Sequence, residues 1–97
     1  MTPPPDAAGE VEVVVYGAPD CSLCDTAKEV LRPAAERLGF RLREVDISGD
    51  PELERRYRAE LPVVEVDGEP AFTYFVSRMR LERVVQAAQA RRSGVPS

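Results

Sequence analysis

Apolar positions along this chain follow two rhythms, one of strands and one of helices. Val11 to Tyr16 (VEVVVY) is a β-branched run of the length of a buried strand, and Gly17, Pro19 and Asp20 end it. From Ser22 onward Leu23, Ala27, Val30, Leu31, Ala34, Ala35 and Leu38 recur at helical spacing, and Gly39 supplies a left-handed cap. Pro33 lies inside that pattern, where it lacks an N–H and crowds the carbonyl of Glu29, so a kink or a break is expected. Phe40 to Ile47 alternates apolar and polar and reads as a second strand. Asp50-Pro51-Glu52 then combines an N-cap, a proline suited to the first turn and an acid at the positive end of a helix dipole. The helix it starts is predicted to reach about Ala59.

Leu61 to Val66 (LPVVEV) is a third strand, Asp67-Gly68 a favoured two-residue hairpin turn, and Pro70 to Tyr74 a fourth strand. Pro70 cannot donate to a ladder, which places the fourth strand at an edge or Pro70 at its first residue. Ser77 caps a last helix whose inner face is predicted to carry Met79, Leu81, Val84, Val85 and Ala88. The order is β-α-β-α-β-β-α, an α/β fold with a four-stranded mixed sheet. Two crossovers predict three strands with parallel neighbours, to which the hairpin adds an antiparallel fourth. Residues 1–9, rich in Pro and Ala, read as a flexible arm, 10–91 as a single domain and 92–97 as a frayed tail.

Composition changes this picture little. A chain of 97 residues with 43% hydrophobic and 31% charged residues is ordinary for one soluble domain. The net charge of −4 and scattered arginines argue against a nucleic-acid partner. No apolar run is long enough to span a membrane, and the N-terminus lacks the features of a secretory signal, so a cytoplasmic protein is expected.

That compartment bears on the two cysteines, Cys21 and Cys24, in APDCSLCDTAKEVL. In the cytosol a close pair is more often redox-active or metal-binding than an inert disulfide. With no His and two Cys, one chain cannot build a closed zinc site from thiolates and imidazoles. Residues three apart in a regular helix have Cβ atoms about 5–6 Å apart, whereas a disulfide wants about 3.5–4.5 Å. Closure therefore needs one cysteine at the irregular helix entrance, which is where Cys21 falls. There the unpaired N–H groups of the first turn favour thiolate, the attacking species, while Cys24 is expected one turn in, facing the sheet and protonated. Cys21 is thus the candidate nucleophile and Cys24 the resolving thiol. The competing reading is a pair of small, buried, inert residues. The strand–turn–helix setting favours redox chemistry.

VVVYGAPDCSLC, a helix, and then ELPVVEVDG resemble the glutaredoxin branch of the thioredoxin superfamily. The chain looks closest to small bacterial glutaredoxin-like proteins that carry C-x-L-C-D after the first strand. The likeness covers about Val11 to Ala90. It implies a thioredoxin-like fold with helices on both faces of the sheet and a dithiol mechanism on disulfide-containing proteins or small thiol substrates. It also implies a cis Leu61–Pro62 bond, with Pro62 beside the cysteines and the Leu61 backbone pairing with substrate like an added strand. Ser22 and Leu23, between the cysteines where typical glutaredoxins have Pro-Tyr, complete the implied substrate-binding set. The protein is expected to act as a monomer and without a bound cofactor.

Other positions depart from the family pattern. The Gly-Gly pair that holds glutathione is missing from EPAFTYFVSRMR, so glutathione enters only as a candidate reductant. Ser77 and the backbone near Val76 lie where a carboxylate could be held, and Val15 stands where thioredoxins carry a buried acid. Asp20 and Asp25 oppose thiolate formation at Cys21, and Lys28 offsets part of that. Weaker candidates are Arg55, Arg56 and Arg58 as a carboxylate clamp, and Phe72, Tyr74 and Phe75 as groove residues with at least two of them in the core. Tyr16 either flanks the cysteines or packs the sheet. Two rival functions remain open: an interaction module with silent cysteines, and a dimeric metal or iron–sulfur carrier.

Overall fold

A computed structural model describes residues 10–92, and the expected arm at 1–9 and the tail from 93 lie outside the described residues. The elements are β1 (Glu12–Gly17), α1 (Ser22–Leu38), β2 (Arg41–Asp46), α2 (Pro51–Tyr57), a 3-10 turn (Arg58–Glu60), β3 (Val63–Val66), β4 (Glu69–Thr73) and α3 (Arg78–Arg92). They form one sheet in the order β2-β1-β3-β4. β1 pairs with β2 in parallel, and β3 lies antiparallel to both β1 and β4.

The direction of β3 corrects the expectation of three parallel strands. A seven-residue helix spans about 10 Å, whereas a six-residue strand covers about 20 Å. α2 therefore cannot carry the chain back along β2. The chain enters β3 at the end where β2 leaves off, so Val63 pairs with Tyr16 and Val66 with Val13.

Local chemistry accounts for the boundaries. α1 runs unbroken through Pro33, against the expected break, and ends at Gly39, whose φ of 79° belongs to the left-handed region. The Asp50 carboxylate accepts from the N–H groups of Glu52 and Leu53, and Pro51 opens the helix. Asp67 and Gly68 take φ of 50° and 85°, the two positive values that a tight hairpin requires. Pro70 lies on the edge strand β4, next to a register shift between Val64 and Glu65.

Alternation divides the sheet. Val11, Val13, Val15, Val64, Val66 and Phe72 pack with Ala27, Leu31 and Ala34 of α1 and with Leu81, Val85 and Ala88 of α3. Burying one such aliphatic or aromatic side chain contributes about 1.5–3 kcal/mol. Met79, expected on this inner face, is 71% exposed. It precedes Leu81 by two residues, roughly 200° around a helix of 3.6 residues per turn, and so projects away from the stripe. α3 holds its helical form to Arg92, whose Nε donates to Asp67 Oδ2 at 2.9 Å. α2 covers the opposite face, where Leu53 and Tyr57 pack against a second cluster of Ala18, Cys24, Ile47 and Leu61. Among the described residues no helix is long and apolar enough to cross a membrane.

Candidate active site

The end of β1 delivers the chain to the cysteines. After Gly17 the N–H of Cys21 donates to the Ala18 carbonyl at 3.3 Å, and α1 begins at Ser22 with Cys21 as its N-cap. Cys21 is in extended conformation (φ −113°, ψ 106°), and its Sγ accepts from the N–H of Cys24 at 3.1 Å. A sulfur thus occupies the place usually taken by the oxygen of a Ser or Asp cap. Cys21 and Cys24 form a disulfide, with their Cα atoms 5.2 Å apart. Cys21 is half-buried, whereas Cys24 is wholly buried. The two sulfurs are therefore unequal: one reaches solvent at the positive end of a 17-residue helix and the other is sealed beneath it.

The Leu61–Pro62 peptide bond is cis. Pro62 is fully buried, and Leu61 shares the buried cluster of Cys24. An open groove of about 340 Å³ beside the disulfide is lined by Asp20, Cys21, Ser22, Leu23, Arg58, Ala59, Leu61 and Tyr74. Leu61, Ser22 and Leu23 thus share one groove with Cys21, and Pro62, next in the chain to Leu61, is buried and does not line it.

The weaker candidates separate. Of the three arginines, Arg58 lines the groove and reaches Asp20 at 3.7 Å and Glu54 at 3.1 Å. Arg56 lies over the Tyr57 ring at 5.2 Å, and Arg55 is exposed. Asp20 thus has a cationic neighbour. Lys28 stands 4.0 Å from Glu44, which also takes two hydrogen bonds from Arg32. The Arg32 bond is the main cause that holds the Glu44 carboxyl below its usual value. Phe72 is core, but Tyr74 and Phe75 are 45% and 70% exposed, which overturns the expectation that two of these aromatics are buried. The cause is a three-residue turn. The N–H of Phe75 donates to the Thr73 carbonyl at 2.7 Å around Tyr74, whose φ is 68°. Tyr74 is held there by its N–H on the Pro62 carbonyl at 3.0 Å and its hydroxyl on the Ala59 carbonyl at 3.2 Å. Ser77 Oγ accepts from the N–H of Arg80 at 3.4 Å, as a helix cap.

Tyr16 packs at the cysteine end of the sheet and stacks on Tyr57, with ring centroids 4.6 Å apart. Both phenols donate to Glu65, Tyr16 to Oε1 at 3.3 Å and Tyr57 to Oε2 at 3.0 Å. Burial first, and then Glu65 (through its charge at Tyr16 and its hydrogen bond at Tyr57), push both phenols up. Sequence reasoning passed over Glu65 and Tyr57. The signal was present in a carboxylate within VVEV, on a strand whose two faces are both covered by helices. Among the described residues no three Cys, His, Asp or Glu side chains stand close enough to share a metal ion.

Strand order, the cysteine pair at a helix entrance and the cis Leu61–Pro62 bond define a member of the thioredoxin-fold class. The thioredoxin of Fasciola hepatica, 18% identical, superposes with a TM-score of 0.60 over 87% of this chain and 86% of its own. The chain belongs to the glutaredoxin-like domain family (DUF836), whose model matches residues 12–86. Protein Ne2328 from Nitrosomonas europaea is 26% identical, with a TM-score of 0.67 over 78% of this chain and 92% of that one. Protein XcR50 from X. campestris is 29% identical, with a TM-score of 0.64 over 77% and 96%.

Proposed function

We propose that this protein is a dithiol thiol–disulfide oxidoreductase that reduces protein or low-molecular-weight disulfides. The observation that carries the reading is the asymmetric pair: a half-buried Cys21 whose sulfur receives a helix N–H, joined to a sealed Cys24. In the reduced state the Cys21 thiolate attacks a substrate disulfide. That bond breaks, a Cys21 mixed disulfide forms, and the first substrate sulfur leaves as a thiolate that takes a proton. Cys24 gives up its proton and attacks the Cys21 sulfur, closing the internal disulfide and releasing the second substrate thiol. The substrate gains two electrons from the cysteine pair and two protons, one given up by Cys24 and one taken from solvent. A thiol reductant, either a low-molecular-weight thiol such as glutathione or a protein dithiol, restores the pair. Leu61, next in the chain to the buried Pro62, together with Ser22 and Leu23, would hold an extended substrate segment across the groove.

Reduction of insulin by dithiothreitol in the presence of the protein tests this reading. Wild type should accelerate it, Cys21→Ser should abolish the acceleration, and Cys24→Ser should accumulate a mixed disulfide on Cys21 visible by mass spectrometry. Wild type no faster than dithiothreitol alone, with the same result for hydroxyethyl disulfide, would overturn it in favour of a binding module with silent cysteines.

A further inference from the structure

We infer that Glu65, which takes no part in the redox step, is a positioning residue that sets the shape of the groove by clamping α2 to the end of β1 through Tyr57 and Tyr16. The inference rests on the redox reading given above.

α2 is weakly anchored. It spans seven residues and buries none of them, and a helix of that length is unstable on its own in water. Asp50 fixes its first turn. Its last residue, Tyr57, is fixed by the Glu65 bond and by the stack on Tyr16 at an interplanar angle of 28°. The chain leaving Tyr57 becomes the groove wall at once, through Arg58, Ala59 and Leu61. Tyr16 stands at the other side, one residue before Gly17, whose backbone packs on Cys24.

Each oxygen of the Glu65 carboxylate takes one of these two phenols. A single side chain therefore links the wall that contains Leu61 to the strand that delivers the cysteines. The placement of Glu65 fits this task. It pairs opposite Val14 on the sheet face that α2 covers, where alternation in a doubly covered strand would otherwise place an aliphatic residue. Two charge-assisted hydrogen bonds offset the desolvation of its carboxylate. The bond from Tyr74 to Ala59 braces the same wall from the groove side, so the segment from Tyr57 to Leu61 is held at both flanks.

Full-length Glu65→Leu, Glu65→Gln and Tyr57→Phe proteins test this, with two readouts. Hydrogen exchange should show the amides of 57–61 opening about tenfold faster in Glu65→Leu, while those of β1 and α1 keep wild-type rates. With dithiothreitol as reductant, KM for insulin should rise severalfold at near wild-type kcat, while turnover of hydroxyethyl disulfide stays within twofold. Glu65→Gln retains an acceptor of the same shape and should recover most of both effects. If Glu65→Leu fails to fold, Tyr57→Phe removes one hydroxyl alone and should show the faster exchange at 57–61. Unchanged exchange at 57–61 overturns the clamp, and so does an equal loss on both disulfides. A wild type inactive on both disulfides would instead strike the redox reading, and the exchange data would still decide whether Glu65 holds the wall.

Discussion

A methyl group placed on Gly17 would stand 3.1 Å from both Cβ and Sγ of Cys24. Real Cβ atoms rarely come so close, and neither neighbour is the loose end of a long side chain. The glycine lets β1 run directly against Cys24. Gly17→Ala should therefore destabilise the oxidised protein by about 1–3 kcal/mol, the usual range for overpacking. Urea unfolding measures this, and a wild-type midpoint would mean that Cys24 yields without loss.

The cap geometry leads to an expected order of reaction for the two thiols. In reduced protein, iodoacetamide should alkylate Cys21 first, with a rate that rises at a pH below the free-cysteine value of about 8.5. Cys24 should stay protected until the fold opens. The ion pair of Asp20 with Arg58 is exposed, so raising the salt concentration should shift the Cys21 profile little. A Cys21 profile at or above the free value would remove the basis for its role as nucleophile.

Acid should weaken the hairpin turn. Burial by itself pushes the Asp67 carboxyl up, but bonds from the Arg92 guanidinium and the Glu12 N–H outweigh it and hold the group below its ordinary value. A carboxyl depressed in the folded state contributes stability that is fully present above its unfolded pKa of about 3.9. That contribution is lost as pH falls through the lower folded value. Stability should decline below about pH 5. Asp67→Asn keeps the positive φ and the acceptor for Glu12 but loses the charge facing Arg92. Its stability between pH 5 and pH 3 should fall less steeply than that of wild type. The residual slope belongs to Glu44 and Asp46, whose carboxyls are also held low. Parallel curves for variant and wild type would refute the assignment.

The inner face of α3 offers a plain contrast. Leu81 is fully buried and Met79 is 71% exposed. Leu81→Ala should cost about 2–5 kcal/mol, and Met79→Ser should stay within about 0.5 kcal/mol. Equal losses in thermal unfolding would place Met79 in the core after all.

Much of this was legible in the chain because it is written in local chemistry. Asp50-Pro51, Asp67-Gly68 and Gly39 each demand a particular backbone conformation, and the structure has each. The cysteine pair was legible for the same reason, since a disulfide across three residues requires a helix entrance. The direction of β3 was not, because alternation is identical for a strand read either way and only the reach of α2 decides it. The expectation that two of Phe72, Tyr74 and Phe75 are core failed because hydrophobicity argues for burial, whereas the turn at Tyr74 leaves Tyr74 and Phe75 exposed. Glu65 was hidden by the rule that made the strands visible: a polar residue in alternation reads as solvent-facing. In a sheet covered on both sides that inference fails, and the residue needs partners that lie far away in sequence.

The margins of the sheet carry a last consequence. β2 presents Arg41, Arg43, Glu44 and Asp46 exposed along one border, and β4 carries Pro70 and a register break along the other. Charges and a missing donor make both borders poor templates for a strand from a neighbouring copy. The route by which small open sheets grow into filaments is thereby closed, and the protein should stay dispersed at concentrations where bare borders would polymerise.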